Sequence, residues 1–148
     1  MQHRFGDLGT AEKAFVGGMV VWFLLQLTRA VAIVLIQEIN GGGESIAWMY
    51  PAFLDLFAVV FAIPGIWATL FRRNATSWAL IIVYWAISIV DHGGNFVTTT
   101  FVGPPSIAEG MSPYLVPAAQ TVFDLVFVVL LLTPRFRGLF FEVASASD

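Results

Sequence analysis

Arg29 stands inside an apolar stretch, residues 14–36, and Asp55 and Asp124 each stand alone in two others, residues 51–71 and 113–132. Asp91 and His92 follow a fourth apolar run that begins at Ser77. A charge at bilayer depth costs roughly 3 kcal/mol even on lenient insertion scales. Such groups persist where they pair, line a wet cavity or handle ions and protons. Here one cation can hold an anionic group or a carboxylate, and the acids can hold protons or cations. The chemistry expected of this set is binding or movement of a small ion or solute.

Helical spacing decides which of these residues can meet. Gln26 and Arg29 are three apart and share a face, with Gly18 two turns before Gln26. In the second segment Asp55, Ala58, Ala62 and Gly65 form a narrow stripe of one acid and small residues. Such a stripe lets a neighbouring helix approach closely. Tyr84, Ser88 and then Asp91 or His92 follow one face of the third segment. Pro117, Gln120 or Thr121, and Asp124 follow one face of the fourth.

The candidate binding residues are therefore Arg29, Asp55, Asp91, His92, Asp124, Gln26 and Gln120, with Arg29 paired to Asp55 or Asp124. Asp91 and His92 are expected to form a hydrated cap where the third helix ends at Gly93-Gly94. Together with Asp55 they offer donors to a divalent cation, but no spacing is diagnostic of a metal. No catalytic residue and no metal site is assigned.

The elements that must carry these residues follow from composition. Hydrophobic residues make up 58% of the chain, charged residues 11%, and the mean hydropathy is +0.82. A soluble domain carries about 25% charged residues. The apolar runs are roughly 20 residues long, enough to cross about 30 Å of hydrocarbon as helix. The expected fold is an all-α integral membrane protein, a four-transmembrane-helix bundle running up-down-up-down. Its helices are placed near residues 14–36, 51–71, 77–96 and 113–132 within one membrane domain spanning 1–148. The first run is too long for a signal-peptide core and lacks a cleavage site after it, so it is expected to be retained.

Positive charges set the expected orientation. Arg4 and Lys13 precede the first helix, Arg72 and Arg73 separate the second from the third, and Arg135 and Arg137 follow the fourth. The connections 38–50 and 91–112 contain no Lys or Arg. By the positive-inside rule both termini are cytoplasmic and the two acidic, glycine-containing loops face outward. The expected location is a plasma membrane of prokaryotic type. Trp48, Tyr50, Tyr114 and Trp78 are expected at the interfacial levels, where an apolar ring with a polar tip fits best. Pro51 and Pro113 suit first-turn positions, whereas Pro64 should kink the second helix, with Gly65 easing the bend. Counting about 1.5 Å per residue puts Arg29, Asp55 and Asp91 in the outer half and Asp124 near the midplane. A pocket open to the outer side is expected, without a continuous polar pore.

Asp55-Leu56-Phe57-Ala58-Val59-Val60 matches Asp124-Leu125-Val126-Phe127-Val128-Val129, which suggests a two-hairpin repeat over 1–73 and 74–148. Gly41-Gly42-Gly43 lacks the Lys-Ser/Thr that a phosphate loop needs. The apolar connection 95–111 is expected to fold back over the bundle mouth, as long loops often do. The small polar tail, residues 144–148, is expected to be disordered. Gly93-Gly94-Asn95-Phe96-Val97-Thr98-Thr99-Thr100-Phe101 resembles the glycine–threonine–phenylalanine break of the small four-helix fluoride channels. The asparagine those channels carry in helix two is missing, and the segment is placed at the end of helix three rather than within it. The family is not assigned on these nine residues.

The absence of cysteine removes disulfides, thiol redox chemistry and thiolate metal sites. His3 and His92 are too far apart for a bis-histidine haem, and no cofactor is expected. A net charge of −3 without a basic run gives no footprint for nucleic acid. The expected partners are the lipid bilayer, a small ion or solute, and a second copy or a larger membrane complex. Three function classes follow. The first is an outward pocket in which Arg29 holds an anion or carboxylate and the acids hold protons or cations. The second is a structural or accessory subunit in which the Arg/Asp cluster is a helix-locking ion pair. The third, a lipid-modifying enzyme with Asp91, His92 or Asp55 as acid–base groups, has the least support, since no nucleophile is recognisable.

Overall fold

The computed structural model describes residues 6, 8–108 and 112–141. His3, Arg4, the end of the second long connection at Met111, and the tail 144–148 lie outside the described residues. Helix α1 (Thr10–Gln26), a 3-10 turn (Leu27–Val31) and α2 (Ala32–Asn40) run on as one span, Thr10–Asn40. A 3-10 turn (Ile46–Trp48) leads into α3 (Met49–Phe71), followed by α4 (Ala75–Val102), α5 (Leu115–Leu132) and the short α6 (Pro134–Arg137). All four spans are long and apolar enough to cross a membrane. The result is a four-helix bundle running up-down-up-down. The connections before α3 and before α5 share one end, here the loop end. The start of α1, the turn between α3 and α4, and α6 share the other, the terminus end.

The helix starts follow local chemistry. Asn74 caps α4 by accepting from the Ser77 amide at 2.8 Å, and Ser45 caps the turn before α3 by accepting from the Ala47 amide at 3.3 Å. Inside the first span, Thr28 Oγ1 donates to the Leu25 carbonyl at 2.7 Å. That bond accompanies the tightening of the helix into the 3-10 turn that carries Arg29, since such back-bonding competes with the regular ladder.

The terminus half is apolar. Phe15, Val16, Met19, Phe23, Ile81, Trp85, Phe127 and Leu131 are buried together. The Phe23 ring lies 4.5 Å from that of Trp85 and 4.9 Å from that of Tyr84. The small-residue stripe of α3 supports this packing: Ala58 and Ala62 are buried, and the Tyr84 hydroxyl donates to the Ala58 carbonyl at 3.1 Å. A Cβ at Gly65 would lie 2.5 Å from Phe23 Cε1, so its function is close approach of α1. The helix continues as one element through Pro64.

Several expectations change. The helix carrying Asp91 and His92 does not end at Gly93-Gly94 but runs on through both glycines to Val102. Asp91 and His92 are therefore buried mid-helix residues instead of a hydrated cap. The segment 93–101 that resembles a channel break is unbroken helix. Trp48, expected at an interface, is buried, whereas Tyr50 and Tyr114 at the same end are exposed. Pro113 precedes α5 rather than opening it.

Candidate functional site

The 3-10 turn points Arg29 into the bundle, where four side chains receive it. Its Nε donates to Asp55 Oδ1 of α3, and its second terminal nitrogen pairs with Asp91 Oδ2 of α4. The remaining nitrogen donates to Gln26 Oε1 at 3.2 Å and to Ser88 Oγ at 3.3 Å. All three guanidinium nitrogens are thus engaged. Arg29 was expected to pair with Asp55 or Asp124; it takes Asp55 and Asp91.

Asp124 of α5 belongs to a second, adjoining group. Its Oδ1 accepts from Trp22 Nε1 at 2.7 Å, and its Oδ2 lies 3.3 Å from His92 Nε2. Ser88 joins the two groups, because its Oγ is 3.4 Å from the same His92 nitrogen. Asp91, His92 and Asp124 are at most 1% exposed, and Asp55 is 21% exposed. Asp91 Oδ1 and His92 Nδ1 are buried without a hydrogen-bond partner.

A cavity of about 400 Å³ opens at the loop end and reaches this cluster from above. Arg29 and Asp55 meet it from below, Thr28, Asn95, Thr99 and Gln120 supply polar groups, and Leu35, Trp48, Ile107 and Val116 supply apolar wall. Pro105, Ile107 and Ala108 place the second connection against the cavity, but that connection begins only after Val102: Phe96, Val97 and Phe101, which made the expected loop 95–111 apolar, belong to α4. Glu44 ties the two connections together, accepting from the Ser106 amide at 2.8 Å and the Ser45 amide at 3.0 Å. These bonds hold its carboxyl below the usual value of 4.5.

Of the expected residues, Arg29, Gln26, Asp55 and Asp91 form one group, His92 and Asp124 the next, and Gln120 lies apart in the cavity wall. Trp22, Trp48 and Thr99 were missed as members of the site. Trp22 lies one turn before Gln26 on the same face, and a polar indole tip in so apolar a run was its signal. Thr99 and Asn95 follow Asp91 at one-turn steps once α4 continues through its glycines. Among the described residues, no group of three His, Cys, Asp or Glu is placed to hold a metal ion. No family model, curated protein or solved structure matches this chain.

Proposed function

We propose that this small multi-pass protein binds a small ion or solute in the cavity above Arg29 and Asp55. The observation that carries the proposal is the meeting of an open cavity of about 400 Å³ with a buried charged cluster. Pockets of this size suit small molecules, and a few converging polar groups in an apolar wall give orientation. The positive-inside rule supports an outward mouth, since the described Lys and Arg other than Arg29 belong to the terminus end. The aromatic packing of Phe23, Tyr84 and Trp85 below the cluster supports a one-ended site over an open pore. The ion pairs also tie three helices together, so the same cluster fixes helix register.

Cysteine labelling tests this reading cleanly, because the chain has no cysteine of its own. Asn95→Cys and Gln120→Cys, introduced singly into the full chain in intact cells, should react with a membrane-impermeant thiol reagent added outside. A lipid-facing control, Val129→Cys, should not. Failure of both cavity positions to react would overturn the outward-open site.

A further inference from the structure

Charge balance within the cluster names the class of ligand. This inference rests on the binding proposal and deepens it. Three carboxylates, Asp55, Asp91 and Asp124, share one guanidinium and one imidazole. With all three ionised, the cluster is one positive charge short even if His92 is charged. Buried charges are costly unless paired, so a missing charge in such a place is an energetic demand. The other described cations, Lys13, Arg72, Arg73, Arg135 and Arg137, sit at the terminus end and cannot meet it.

The position open to a ligand is Asp55. It is the most exposed of the three acids, it faces the cavity, and one of its oxygens carries the bond from Arg29. The Arg29 guanidinium is already committed within the cluster, to Asp55 through Nε, to Gln26 and Ser88 through one terminal nitrogen and to Asp91 through the other, which leaves the acid as the stronger pole facing the cavity. Trp48, Leu35 and Val116 line the same cavity. Trp48 is 3% exposed, lines the cavity, and its Nε1 has no hydrogen-bond partner. An indole and a carboxylate lining one cavity both favour a cation, the indole through its ring quadrupole.

We infer that the cavity takes a small organic monocation, an ammonium group on an apolar body, with the ammonium against Asp55 and the body against Trp48, Leu35 and Val116. The apolar wall sets this ligand apart from a bare hydrated ion.

Three probes of similar size test it on the full chain in detergent by titration calorimetry: 2-phenylethylammonium, neutral 2-phenylethanol and anionic 3-phenylpropionate. The ammonium should bind at least tenfold more tightly than the other two. Asp55→Asn should weaken it at least tenfold in protein that still elutes as a folded species, and Asp55→Glu should restore part of the binding. Should Asp55→Asn fail to fold, Trp48→Leu is the second variant, and it should weaken the ammonium selectively. Equal binding of the alcohol would mean that a proton already neutralises the cluster, and preference for the carboxylate would mean an anion site. Either overturns the inference and leaves the cavity proposal standing. Binding of none of the probes also overturns it, while thiol labelling judges the cavity separately.

Discussion

His92 Nε2 lies 3.3 Å from Asp124 Oδ2, and Trp22 Nε1 donates to the other oxygen of that carboxylate at 2.7 Å. The carboxylate of α5 is thus held from both α4 and α1, in the layer between the cavity cluster and the aromatic packing.

Trp22→Phe keeps an aromatic ring and removes the donor. A buried acceptor left with one partner fewer costs about 1–3 kcal/mol. The expected outcome is a lower unfolding midpoint in detergent, and an unchanged midpoint would contradict the assignment.

Arg29→Gln leaves Asp55 and Asp91 without their cation. Breaking a buried pair costs about 3–5 kcal/mol, largely because the partner charge stays buried. Adding Asp91→Asn removes that stranded charge, so the double variant should unfold later than Arg29→Gln alone. Additive losses in a double-mutant cycle would contradict the pairing.

Gly65→Ala brings a methyl group within 2.5 Å of Phe23 Cε1, and Phe23 is itself fully buried among Tyr84 and Trp85. Overpacking of this kind costs about 1–3 kcal/mol. The midpoint should fall, and Phe23→Leu in the same chain should recover part of the loss.

Glu44 joins the loops over the cavity, and its carboxyl is held low first by the Ser106 amide and then by the Ser45 amide. A depressed folded value means the joint adds stability above the ordinary 4.5 and loses it as pH falls through the folded value. Amide exchange in the segment containing Ser106, corrected for the intrinsic pH dependence, should therefore rise on acidification. Glu44→Gln should remove that pH step.

The spans were legible because unbroken apolar runs of membrane length leave few alternatives. The shared face of Gln26 and Arg29 was legible because three-residue spacing alone fixes it. The end of α4 was not. Gly93-Gly94 reads as a stop in water, but in an apolar surrounding the backbone must satisfy itself, which favours continued helix. The choice of Asp91 by Arg29 was hidden for another reason: it depends on how α4 is rotated against α1, and spacing within one helix carries no such information. Trp48 looked interfacial by composition, and only the fold of the connection before α3 buries it.

Protection of a cavity thiol is the most direct measure of whether a solute occupies the cavity over Asp55. The rate at which an impermeant reagent labels Gln120→Cys is followed with and without 2-phenylethylammonium, in chains carrying Asp55 or Asp55→Asn. The predicted result is slower labelling with the ammonium when Asp55 is present, and no slowing with Asp55→Asn. Labelling at the same rate with and without the ammonium, or equal protection in both chains, would contradict it.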